Sequence, residues 1–286
     1  MSPTLARGAE SVWVGEGPDQ GPCRSVAGTM GIFSFHLAHV PANVAARALL
    51  RGSTDGERVA GLEHVEHLSL MTLGAPPVSL ERLQLRRLAV FASWESEAAL
   101  DSCLGGDALG RYLAEGWHLR LEFVRRWGGV TGLHRLPLNA STMADDEPVV
   151  AVTLAHLRLP ELRRFFAWGR PVEQQVRGSP GVSLAVAAVR PPRTFSTFSV
   201  WRSVGEMRDM VEGRAQGSCE PRGPHGSGTV SATGGTVGGP AVDGRHAGAM
   251  AERERRDFHS EFTTLRFRPL SEHGAWEGRR SIVPWH

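Results

Sequence analysis

Thr194-Phe-Ser-Thr-Phe-Ser-Val-Trp201 decides the fold of this chain. It is rich in aromatic and β-branched residues and alternates with a period of two, which predicts a strand. Phe195, Thr197, Ser199 and Trp201 point to one face, and Thr194, Ser196, Phe198 and Val200 to the other. Further on, His246-Ala-Gly-Ala-Met-Ala-Glu-Arg-Glu-Arg-Arg-Asp-Phe258 reads as a helix with a histidine in its first turn.

The strand has an earlier copy. Phe198-Ser-Val-Trp201 matches Phe91-Ala-Ser-Trp94, and Val152-Thr-Leu-Ala-His156 matches Phe35-His-Leu-Ala-His39. Leu119-Arg-Leu-Glu-Phe123 stands near the place of Phe262 to Phe267. Around these anchors, strands are predicted at residues 31–39, 88–94 and 119–127, and again at 149–156, 182–189, 194–201 and 262–268. Helices are predicted at 41–50, within 95–115, at 159–168 and at 203–212. The stretch 62–73 is mixed. Each half then reads β-α-β-β-α-β, the ferredoxin-like split motif. Such a sheet carries helices on one face and needs the other covered. The expected fold is therefore α+β: two tandem ferredoxin-like halves packed as an intrachain dimeric α/β barrel. Two independent domains in series are the alternative.

The expected organisation is a disordered tail over 1–28, an N-terminal half over 29–135, a linker over 136–147 and a C-terminal half over 148–278. Residues 214–244 form a Gly-rich insertion in the second half. With almost no large apolar side chains it cannot offset the entropy of ordering, so it is either disordered or a flap.

Composition narrows the function classes. The 286 residues are 41% hydrophobic and 22% charged, with a net charge of +2 and 32 basic residues, all arginine. The arginines are interspersed with acids, so no nucleic-acid-binding stripe is present. Cys23, Cys103 and Cys219 are odd in number and widely spaced. That argues against a disulfide framework or a zinc motif and for a reducing compartment. No apolar run reaches membrane-spanning length, and no charged region followed by an apolar one opens the chain, so no signal peptide is expected. A cytoplasmic protein is expected.

Other motifs are weaker. Glu63-His64-x-Glu66-His67 would put two histidines three apart on a helix, a partial metal site without a third ligand; a solvated charged face is the alternative. His36 and His39 fall on opposite faces of a strand and cannot chelate together. Phosphate-loop, dinucleotide and nucleophile-elbow patterns are absent.

The motifs Pro148-Val-Val-Ala-Val-Thr153, Thr194-Phe-Ser-x-Phe-Ser-x-Trp201, His246-x3-Met250-x7-Phe258-x2-Glu261, Leu265-Arg-Phe267-Arg268 and Gly274-Ala-Trp276 occur in that order. Val90-Phe-Ala-Ser-Trp94 echoes them in the first half. With these residues the chain resembles the spheroidene monooxygenase family and, more distantly, the antibiotic-biosynthesis-monooxygenase superfamily of dimeric α/β barrels. That resemblance implies a haem-dependent oxygenase with one haem b per chain and His246 as the proximal iron ligand. Met250 and Arg253 share the face of His246; Met250 would line the macrocycle and Arg253 would meet a propionate. Phe195, Phe198 and Trp201 would line an apolar substrate pocket. Glu261 is either a hydrogen-bond acceptor in the site or a solvated carboxylate. The implied partners are an apolar or specialised-metabolite small molecule and a ferredoxin-type electron donor, with no membrane span. A homo-oligomer is compatible with this. A haem-dependent dehydratase or rearrangement enzyme, a cofactor-free monooxygenase and a non-catalytic haem or small-molecule carrier use the same fold and remain open.

Overall fold

A computed structural model describes residues 31–51, 59–72, 83–106, 108–212 and 257–285. The chain runs β1 (Ile32–His39), α1 (Ala42–Arg51), β2 (Leu62–Met71), β3 (Leu83–Trp94), α2 (Glu97–Gly105), α3 (Ala108–Glu115) and β4 (Trp117–Gly129). It continues through β5 (Val149–Leu157), a 3-10 turn at Leu159–Glu161, α4 (Leu162–Gly178), β6 (Val182–Arg190), β7 (Thr194–Trp201), α5 (Val204–Val211) and β8 (His259–His273). Matching local signals start α2 and α5. Ser96 accepts from Ala99 N at 3.2 Å and Ser203 accepts from Glu206 N at 3.1 Å, each two residues beyond a strand-ending tryptophan.

The eight strands form a closed antiparallel barrel in the order β4-β1-β3-β2-β6-β7-β5-β8, with β8 returning to β4. The first four strands thus lie side by side as β4-β1-β3-β2, and the last four as β8-β5-β7-β6. Register repeats too: Phe35 lies opposite Phe91 and Leu119, and Val152 opposite Phe198 and Leu265. The two seams differ. β4 and β8 pair along nearly their whole length, whereas β2 and β6 share three register pairs, Ser69–Val189, Leu70–Ala188 and Met71–Ala187.

Alternation sorts the side chains. Phe33, Phe35, Leu37, Phe91, Leu119, Leu121, Phe123, Val150, Val152, Leu154, Phe198, Val200, Leu265 and Phe267 point inward and form one buried core. The interior is packed rather than hollow; Phe35 and Phe198 stack at 3.6 Å between centroids, 8° from parallel. Ile282 and Val283 join this core beside Trp276, and Ile282 N and Val283 N donate to Glu272. Outside the barrel, α1 through Ala45 and Ala48, α2 through Leu100 and Leu104, and α3 through Leu113 cover the β1–β3 face. In the second half, α4 covers one end of the outer face through Leu162 and Phe165. α5 covers the other end through Val204, Met207 and Met210.

Two segments differ from expectation. The Glu63–His67 motif lies on strand β2, not on a helix. His64 and Glu66 point into the barrel, opposite Ser93 and Phe91, while His67 lies opposite Val90 on the outer face. The two histidines therefore cannot share a metal. The last strand runs over His259–His273 instead of 262–268, because β4 and β5 pair with different parts of it.

Candidate functional site: the outer face of the second half

Strand register lays the outward side chains of β4, β8, β5, β7 and β6 in rows. One row is Arg125, Arg266, Ala151, Ser199 and Ala185; the next is Trp127, Thr264, Thr153, Thr197 and Ala187. A third ends the floor with Phe262, Ala155, Phe195 and Val189. The middle of this face is floored by short side chains, three of them threonines in cross-strand contact, and Ala151, Thr153, Thr197 and Ser199 are half-buried.

The corresponding positions of the first half are filled. There the register places His36, Val90 and His118 in one row, all buried. They stand where Thr153, Thr197 and Thr264 stand in the second half. His36 and His118 stack at 4.9 Å, and His118 and His273 at 4.7 Å. Burial holds His36 well below the ordinary histidine range and takes His118 down to about 4. These rings lie in a stacked row, and among the described residues no group of histidine, cysteine or carboxylate side chains converges to hold a metal.

Aromatic groups close both ends of the threonine floor. Phe195 packs edge-on to Phe165 of α4 at 5.0 Å, and Phe165 in turn meets Phe258 and His259. At the other end, Trp201 Nε1 donates to Ser199 Oγ at 2.9 Å and packs with Val204 and Met207. Phe195 and Trp201 therefore flank this face, whereas Phe198 lies inside the barrel against Phe35. The three residues expected to line one pocket occupy two faces of the same strand. His246, Met250 and Arg253 lie outside the described residues, as do the tail at 1–28 and the insertion at 214–244.

A second polar cluster, which sequence reasoning singled out only in part, closes one end of the barrel. Arg190 Nη2 donates to Glu66 Oε2 at 2.6 Å and to Thr194 Oγ1 at 3.3 Å. His156 Nδ1 lies 2.9 Å from Glu261 Oε2, and Thr131 donates to Glu261 through both its hydroxyl and its backbone N–H. Those hydrogen bonds hold Glu261 below the usual carboxylate range. Burial pushes Glu66 up to about 7 against the pull of Arg190. Glu261 is thus fixed in a network at the barrel end, away from the threonine floor. The alternation of inward positions on β2, β5 and β8 could have marked this cluster, had the strand order been readable.

A small cleft, about 200 Å³, lies near Leu37, His39, Tyr112 and Trp276. That is below the ~300–1,000 Å³ of ordinary small-molecule sites, so the broad outer face of β5–β8 is the better candidate.

No family profile matches the chain. It is 28% identical over 197 residues to spheroidene monooxygenase of Rubrivivax gelatinosus, across 68% of this chain. The matched region spans 64% of that relative's length. The resemblance read from the short motifs therefore holds. Among solved structures, a monooxygenase-like protein from Listeria innocua aligns with a TM-score of 0.27 and 9% identity, over 84% of this chain and 95% of that one. A ferredoxin-fold protein related to antibiotic biosynthesis monooxygenases, from Listeria monocytogenes 4b F2365, aligns with a TM-score of 0.28 and 12% identity, over 84% and 96%.

Proposed function

We propose that the protein is a haem-dependent oxygenase acting on an apolar or specialised-metabolite small molecule, with the haem on the outer face of β5–β8 and His246 as its iron ligand. One observation carries the location: Thr153, Thr197 and Thr264 stand where the first half has the buried His36, Val90 and His118. Exchanging the two imidazoles for threonines, with Thr197 isosteric to Val90, leaves a lower floor between two aromatic ends, which suits a flat, largely apolar group. The similarity to spheroidene monooxygenase supports the oxygenase reading. We also propose that the two sets of four strands are copies of one ferredoxin-like unit, because spatial order, register and helix caps repeat together.

When bound, the haem would supply iron-centred redox chemistry with dioxygen. The chain's own residues would bind, orient and dehydrate. Phe195 with Phe165 at one end, and Trp201 with Met207 at the other, would bound the macrocycle and keep water from its faces. Short hydroxyl side chains on the floor would let a planar ring approach the sheet. His246, Met250 and Arg253 are the residues that would hold the group, His246 through its iron. A ferredoxin-type donor would deliver electrons.

The test is reconstitution of the purified full-length chain with ferric haem, followed by turnover of candidate apolar substrates. The proposal requires a Soret band and product formation that depends on both a reductant and oxygen. Haem uptake with oxygen-independent turnover would instead indicate a dehydratase or rearrangement enzyme. A protein that takes up no haem contradicts the proposal.

A further inference from the structure

Arg120 and Arg266 occupy matching positions. Arg120 lies opposite Ser34, one residue before Phe35, and Arg266 lies opposite Ala151, one residue before Val152. Both point to the helix side of the sheet, and their surroundings differ in charge. Arg120 donates to Glu97 at 3.0 Å and to Asp101 at 2.5 Å, both on α2. Counting from the capping serines, those two positions on α5 are Val204 and Arg208. The carboxylates that neutralise Arg120 are thus replaced by an apolar residue and a second cation.

Other acids nearby are already engaged. Asp145 takes Arg208 at 2.9 and 3.2 Å, while Glu147 and Glu122 take Arg268 at 3.0 and 2.6 Å. Among the described residues Arg266 has no carboxylate partner. Its guanidinium lies 5.0 Å over the Trp127 ring, and Arg125, its cross-strand neighbour on β4, lies 4.6 Å over the same ring. Like charges directly opposite on adjacent strands repel. Burial, Arg125 and Arg208 together lower the Arg266 pKa to about 10. A half-buried cation beside two others needs an anion, and this one sits at the edge of the threonine floor, in the row of Ala151 and Ser199.

We infer that Arg266, with Arg125 beside it, is the anchor for a carboxylate of the ligand held on the outer face of β5–β8. The assignment rests on the proposed haem platform and names the residue that orients the group on it. A guanidinium suits a carboxylate through paired N–H donors. Trp127 would shield that contact from water on one side.

The test compares ferric haem with ferric haem dimethyl ester, which lacks free carboxylates, by absorption titration of the full-length chain. Wild-type protein is expected to bind haem roughly tenfold more tightly than the ester, the size of one charge-assisted contact. Arg266→Gln is expected to bind haem roughly tenfold more weakly and the ester unchanged. Arg120→Gln serves as the control, because it removes a structural ion pair; it should lower the melting temperature and leave the haem-to-ester ratio intact. If Arg266→Gln binds haem as the wild type does, or loses haem and ester equally, the assignment is overturned and the platform stands. If wild-type protein binds neither probe, the platform falls and the assignment with it.

Discussion

Arg190 on β6 donates to the buried Glu66 on β2 at 2.6 Å, across the shorter of the two seams that close the barrel. With only three register pairs joining these strands, the contact ties together residues 124 positions apart in sequence at the point where backbone pairing is thinnest. Replacing Arg190 by Met leaves a buried carboxyl group without its cation. The expected loss is about 3 kcal/mol, the lower end for breaking a buried pair, because Arg190 is partly solvated. Urea denaturation would measure it, with the double variant Glu66→Leu/Arg190→Met recovering part of the loss.

The same carboxyl group predicts a pH dependence. Burial raises Glu66 from its ordinary value of 4.5 to about 7 in the folded protein. The folded state therefore holds this proton more tightly than the unfolded state. Its contribution is full below about pH 4.5 and is lost as the pH rises toward 7. Thermal melts of wild type and Glu66→Gln should diverge across that window by a few degrees or more. The Glu66→Gln curve should lack the decline.

His118 acts in the opposite direction. Burial depresses it from 6.5 to about 4, with His273 and Arg120 adding to the shift. Its contribution is present above pH 6.5 and disappears as the pH falls toward 4. His118→Phe keeps a flat ring between His36 and His273 and removes the titration. Its melting temperature should therefore fall less on acidification than that of the wild type.

The two faces of β7 should respond differently to truncation. Phe198→Ala opens a void against Phe35 and Trp117 in the barrel and is expected to cost about 3–5 kcal/mol. Thr197→Ala, on the half-buried outer face, should cost under about 1 kcal/mol. Denaturation midpoints at constant slope would show the contrast.

Refilling the floor should block the site without unfolding the barrel. Thr197→Leu puts a larger side chain at the centre of the floor, where register places a threonine between Thr153 and Ala187. Ferric haem uptake should fall more than about tenfold, since overpacking a close contact costs on the order of 1–3 kcal/mol, while the melting temperature changes little.

Much of this architecture is legible in the sequence, for identifiable reasons. The alternation in 194–201 and the recurrence of Leu-Ala-His and Phe-x-x-Trp are local signals, and they mark strands in both parts of the chain. β2 was obscured because His64 and Glu66 occupy inward positions and break its apolar alternation. That exception exists because the barrel end is polar, which depends on Arg190 from a distant strand. The substrate-side residues were only partly legible. Alternation separated Phe195 and Trp201 from Phe198, and which face serves as a site depends on where the helices lie. Arg266 gave no signal in sequence, because its missing partner is visible only when α5 is compared with α2.

The platform and its ligand are tested most directly by a cavity variant. Wild-type protein reconstituted with ferric haem should show a Soret band typical of histidine ligation. His246→Gly should lose or shift that band, and added imidazole should restore it by filling the vacated position. A Soret band unchanged in His246→Gly, or a shift that imidazole does not reverse, would contradict the account.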